Sequence, residues 1–202
     1  LLTLALLIAF SSAYAQTKSA ALPPLDQLFL DIPEQYLLIP SSEDGKHLSR
    51  ADRAKLITLV DKKNGYLEAT GSDKTDIFAG AQLALFKTKA GGYLIGYHFD
   101  SAGDNNTHLQ MLTKDGDKWT DVTAQVLPKI TQEMVDRQMQ DKVPEYKKNK
   151  KKLSDCASGT YSYKLPRYGR TIELFVESDC YSGPRLVLWT LTFDGTKFNL
   201  SK

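Results

Sequence analysis

Three residues form the densest chemistry-bearing group in this sequence: His98, Asp100 and His108. Two imidazoles and a carboxylate are the donor set of a zinc-type site, and three protein ligands with an open position can activate water. The hairpin between them predicts their proximity. If its turn is centred on Gly103, His98 stands directly across from His108, with Asp100 and Asn106 as the next pair on that face. Tyr97 then faces Leu109 and Ile95 faces Met111, a consistent apolar face. On this reading the cofactor is a divalent metal such as zinc, and the activity a metal-dependent hydrolysis. The competing reading is a polar strand face beside a loop, since Asp104, Asn105 and Asn106 are ordinary turn residues. The stretch from Asp100 to Asn106 also lacks the alternating acidic spacing and distal Glu of an EF-hand.

A second charged group is basic. Lys147, Lys148, Lys150, Lys151 and Lys152 could meet an anionic surface such as phosphate-rich lipid or polysaccharide, with Tyr146 the one interleaved aromatic. The plainer expectation is a solvated linker. No GxSxG, HExxH, P-loop or GxGxxG pattern is present, and the remaining histidine, His47, lies in a polar stretch. No catalytic residue is assigned, and the sequence points away from an enzyme rather than towards one. Tyr161, Tyr163, Tyr168 and Tyr181, with Phe175 and Trp189, place aromatic surface in the second half of the chain.

The elements that must position these residues show an internal repeat. Gly96–Asp121 aligns without a gap on Phe175–Leu200, at an offset of 79 residues. Asp100 falls on Asp179, Leu109 on Leu188, Leu112 on Leu191, and Asp115-Gly116 on Asp194-Gly195. Asp-Gly between alternating apolar runs is a strong hairpin signal. The first copy predicts strands over 82–88, 92–99, 107–113 and 118–122. The second predicts them over 159–165, 171–178, 185–193 and 197–200. In the second copy Ile172, Leu174 and Val176 share a face with Leu186 and Leu188. Phe175, Val187, Trp189 and Leu191 then occupy the other, so that sheet is expected to be covered on both sides.

A helix precedes each meander. Ser49 resembles an N-cap, with Ala51, Ala54, Leu56, Ile57 and Val60 at helical spacing up to a stop near Gly65. Gly65–Thr70 is a candidate extra strand. Ile130–Lys142 carries Ile130, Met134, Val135 and Met139 at helical spacing, with Thr131 as its start. The fold class is therefore α+β: a tandem repeat of two helix-plus-antiparallel-meander modules of four or five strands each. The layout is similar to the tandem helix-plus-sheet repeats of small secreted enzyme inhibitors such as β-lactamase inhibitory protein. That similarity is one of layout, without a residue motif.

The boundaries follow. Residues 1–15 read as a signal peptide: Leu1 to Phe10 has only Thr3 as a polar residue, and Ala13-Tyr14-Ala15 supplies the small residues before a cut. The charged region that normally opens such a signal is missing, so the sequence is expected to begin inside it. Residues 16–48 form an N-terminal extension, 49–127 the first module, and 128–202 the second module with its basic linker. The mature chain has no other run long and apolar enough to span a bilayer. In an oxidising compartment Cys156 and Cys180, the only two cysteines, are expected to form a disulfide. The hairpin between them would bring both to one end. A formal charge of +2 is too small to imply a nucleic-acid partner. The function expected from these features is that of an exported, non-catalytic binding protein, periplasmic or secreted, for a ligand or protein partner of the envelope or extracellular space. An inhibitor is included in that class.

Overall fold

The structure is a computed structural model that describes residues 24–37, 49–71, 78–101, 108–155, 161–176 and 185–201. Residues 1–15, His47, the loop residues Asp104, Asn105 and Asn106, Cys156, Cys180 and Tyr181 lie outside the described residues, as does the side chain of Asp100.

The fold is α+β, with two antiparallel sheets each preceded by helices. The first sheet has six strands in sequential order: β1 (Ile57–Asp61), β2 (Tyr66–Thr70), β3 (Phe78–Lys87), β4 (Tyr93–Ser101), β5 (His108–Asp115) and β6 (Lys118–Asp121). The second has four: β7 (Ser162–Lys164), β8 (Thr171–Val176), β9 (Leu186–Phe193) and β10 (Phe198–Ser201), with β7 and β10 at its edges.

Local chemistry explains most of these elements. Gly116 and Gly195 sit in the left-handed region (φ 56° and 99°), as the two Asp-Gly turns require. Ser49 does cap a helix: its Oγ accepts the Asp52 amide hydrogen at 3.2 Å. That helix, Arg50–Leu56, is shorter than its periodicity suggested. The run Ile57-Thr58-Leu59-Val60 leaves it and pairs with β2 as a strand. Branching at Cβ stiffens Ile, Thr and Val against helix and suits them to a pleated surface. The extension contains a further helix, α1 (Leu25–Asp31), so the capped helix is α2. Arg50 of α2 pairs with Asp31 and donates to Gln27 Oε1 at 2.7 Å, tying α2 to α1. A short helix α3 (Thr123–Val126) follows β6. Thr131 caps α4 (Gln132–Lys142), and Pro144 opens α5 (Pro144–Asn149).

The first sheet buries both faces. Leu67, Ala69, Ala81, Leu83, Ile95, Tyr97, Phe99 and Leu112 pack beneath α1, whose Leu25, Leu28 and Phe29 are buried. Tyr66, Ala84, Phe86, Leu94, Leu109 and Met111 face the second sheet and meet Leu165, Ile172, Leu191, Phe193 and Phe198. Gly96 allows this close approach. A Cβ there would lie 2.9 Å from Phe86 Cε2 and 3.4 Å from Leu165.

The second sheet differs from the expected alternation. A β-bulge on β9 leaves Leu188 unpaired, with Leu174 opposite Trp189 and Phe175 opposite Val187. The extra residue resets the period. Trp189 and Leu191 therefore share a face with Leu174 and Ile172 rather than lying opposite them. That one face is divided: its Ile172 end meets the first sheet, and its Leu174 end meets Val135, Met139 and Tyr146 of α4 and α5. The other face carries Glu173, Thr190 and Thr192, with the Thr171 and Thr192 hydroxyls 3.1 Å apart.

Candidate functional site: a groove beside an edge strand

The histidine pair does not stand as the centred hairpin required. His98 is opposite Leu109, and His108 is opposite Phe99. Tyr97 faces Gln110 rather than Leu109, and Ile95 faces Leu112 rather than Met111. A one-residue change of register moves a side chain to the other side of the sheet. His98 consequently joins the face that meets the second sheet, while His108 lies on the face of Tyr97 and Phe99. Asp100 pairs with Gly80 through the backbone. Among the described residues no three His, Cys, Asp or Glu side chains gather as a metal would need.

What His98 meets instead is a groove. The imidazole is 4% exposed, and its ring centre is 6.4 Å from that of Tyr163. Gln82 stands directly across from it on β3, and Gln82 Oε1 accepts the Leu165 amide hydrogen at 2.9 Å. This bond links the two sheets. Two buried polar atoms here have no hydrogen-bond partner among the described residues: His98 Nε2 and Ser162 Oγ. Burial, and after it the charge of His108, pushes the His98 pKa down to about 4. The ring is therefore neutral at pH 7, able to donate from one nitrogen and accept at the other.

These groups line a cleft of about 390 Å³ between β2–β3–β4 and the edge strand β7, with Glu68 and Lys164 also in its wall. A second cleft of about 390 Å³ shares Glu68 and Lys164 and continues to Arg167 and Tyr168. Together they form one groove alongside β7. At its His98 end the neutral Gln82, His98 and Ser162 are joined in the wall by Phe175 and Arg185. Its outer end presents Tyr168, 68% exposed, with the Arg167 guanidinium 5.4 Å from the ring centre. Arg167 Nε also donates to Asp61 Oδ2 at 2.9 Å. The Asn64 amide and then Arg167 hold the Asp61 carboxyl below the usual carboxylate range. The carboxylate of Glu68 accepts the Tyr66 hydroxyl. Arg185 pairs with Glu173 and lies 4.0 Å from the centre of the Phe175 ring. Among the described residues Lys164 enters no ion pair.

A second set of partnerless polar atoms lies on the opposite face of the same sheet. Arg53 of α2 donates from one terminal nitrogen to Leu30 O at 2.9 Å, while its Nε and other terminal nitrogen have no partner among the described residues. Tyr97 Oη and Gln110 Oε1 are also without one. Burial lowers the Arg53 pKa and raises that of Tyr97.

The basic run is partly a folded element. Lys147 and Lys148 lie exposed on α5, Lys150 ends it in the left-handed region, and buried Tyr146 anchors it. Lys151 donates to Glu145 at 2.9 Å and sits 5.9 Å from the Tyr146 ring centre. Lys152 is exposed beyond the helix.

Of the aromatic residues singled out from sequence, Tyr163, Tyr168 and Phe175 reach the groove. Gln82, Glu68, Ser162 and Lys164 carried no motif that could have marked them. The orphaned Ser162 hydroxyl becomes visible only when β7 is docked against β3 and β4.

No protein-family model matches the chain, and no curated protein matches it. A solved domain of an uncharacterized protein from Porphyromonas gingivalis W83 is similar, at 12% identity and a TM-score of 0.49, over 88% of this chain and 98% of that one.

Proposed function

We propose that this chain is an exported, non-catalytic binding protein, periplasmic or secreted, and that the groove along β7 receives its ligand. The observation that carries the reading is a pair of buried atoms in one cleft, His98 Nε2 and Ser162 Oγ, that have no partner among the described residues. Leaving such groups unsatisfied costs about 1–3 kcal/mol each, and a ligand that hydrogen-bonds them recovers that cost. Polar groups converging in a cleft of a few hundred Å³ are the usual form of a small-ligand site.

Export rests on the apolar stretch before Gln16. A Cys156–Cys180 disulfide accords with it. β7 and β8 pair with Ser162 opposite Phe175, so the start of β7 and the end of β8 lie at the same end of that hairpin. The two meanders, each of four sequential antiparallel strands with its Asp-Gly turn 79 residues from the other, are read as copies of one module.

The test is an amide-shift titration of the mature chain with single monosaccharides and single amino acids at millimolar concentration. Shifts gathered at Gln82, His98, Ser162 and Lys164, and lost in Ser162→Ala, support the groove. Shifts confined to other surfaces, or none with any probe, refute it. Intact mass with and without reductant decides the disulfide: a gain of about two hydrogens on reduction is expected.

A further inference from the structure

We propose that a small monocarboxylic acid with an apolar body binds at a second site, in the cleft between α1, α2 and the β5–β6 turn, with its carboxylate on Arg53. This site is independent of the groove along β7. The cleft has a volume of about 500 Å³. Arg53 is 7% exposed and donates from one terminal nitrogen to Leu30 O at 2.9 Å. Among the described residues its Nε and other terminal nitrogen have no partner, and it enters no ion pair. A guanidinium stays protonated in a protein, so a buried positive charge here lacks a bonded counter-charge. Burial outweighs the carboxylates that act on it, Glu34 and Asp31, and lowers its pKa. An anion entering the cleft supplies what is missing.

The rest of the wall sets the charge and shape of that anion. Asp31 is taken by Arg50. Lys114 donates to the Gly116 carbonyl and lies 5.8 Å from the centre of the Trp119 ring. Arg53 and Lys114 then stand against Asp117 alone. One positive charge is left over, which a single carboxylate balances; the two charges of a phosphate monoester would exceed it. Leu30, Pro33 and Trp119 complete the wall. Their apolar surface suits a hydrocarbon or aromatic body, with the Trp119 ring as its largest face.

Phenylacetate is the probe, with phenylacetamide as its neutral isostere and phenyl phosphate as the dianion. Each is titrated into the mature chain and followed through the Arg53 Nε–H and Trp119 indole N–H resonances. Phenylacetate is expected to move both saturably and to bind at least about tenfold tighter than phenylacetamide, the range of one hydrogen bond to a charged group. Phenyl phosphate should bind no tighter than phenylacetate. Arg53→Gln should abolish the preference for the acid. Should that variant not fold, Lys114→Gln decides, since it changes an exposed side chain. It should weaken phenylacetate about two- to fivefold and leave phenylacetamide unchanged. Arg53 and Trp119 signals that stay still at millimolar probe, equal affinity for acid and amide, tighter binding of phenyl phosphate, or Lys114→Gln without effect each overturn the proposal. Shifts confined to His98 and Ser162 place the acid in the groove and overturn this site.

Discussion

The two faces of the β4–β5 pair each border polar atoms that lack a partner among the described residues, and the fold treats them differently. Under α1, Tyr97 Oη is sealed within the core, while Arg53 of α2, with two such nitrogens, lines an open cleft of about 500 Å³ with Asp31 and Trp119. Towards the second sheet, His98 Nε2 and Ser162 Oγ border open space. Burial alone does not mark a site. The first of these, the Tyr97 hydroxyl, is surrounded by its own chain, and a change there acts on stability. The pair at His98 and Ser162 lies where a ligand can reach, and a change there can act on binding while the fold stands.

That contrast can be broken in several ways. The largest effects should come from the aromatic residue packed on each face. Phe29→Ala beneath α1 and Phe86→Ala between the sheets should each cost about 3–5 kcal/mol in urea unfolding. Both should lower one common transition. Two separate transitions, each moved by only one variant, would mean that the faces belong to independent units. The next effect is a pH dependence. Between pH 6.5 and 4 the unfolded chain takes up a proton at His98 that the folded chain refuses, so stability falls as pH falls through that window. The loss should approach about 3 kcal/mol at the acid end. His98→Asn should flatten that part of the profile, and an unchanged slope in the variant would assign the dependence elsewhere.

Gly96→Ala should cost about 1–3 kcal/mol, because its methyl group would press on Phe86 and Leu165 and wedge the sheets apart. Unchanged stability would show that the sheets can part at no cost. The smallest effects sharpen the contrast most. Tyr97→Phe removes a sealed, partnerless hydroxyl and should leave stability equal or raise it by up to about 1 kcal/mol. Ser162→Ala should change stability by less than about 0.5 kcal/mol while altering ligand-induced shifts. If Tyr97→Phe altered those shifts as well, the two faces would not be separate.

The strands were largely legible because the chain alternates and marks its turns with Gly116 and Gly195. The caps Ser49 and Thr131 were legible for a similar reason, since each meets its own amide three residues on. The α2–β1 junction was not. Leu56, Ile57 and Val60 satisfy a helical spacing, and the competing β preference of a branched run decides only once β2 is there to pair. α1 was missed because it has seven residues and no side-chain cap, and is held by the sheet beneath it. For the site, His98 was found for the wrong geometry. The sequence between the two histidines does not reveal where the turn is centred. Ser162 and Gln82 could not be joined from sequence at all. They come together through sheet docking, which leaves no period in the chain.

β7 has one more consequence. It is a border strand of three residues, Ser162–Lys164, and Pro166 follows it almost at once. Proline has no amide hydrogen to offer, and a charged lysine on so short a border discourages a neighbouring chain from zipping on. The brevity that leaves room for a guest along this edge also makes it a poor template for fibrils. Extending β7 by a few branched residues would therefore do more than close the groove; it would give the protein a surface prone to self-association.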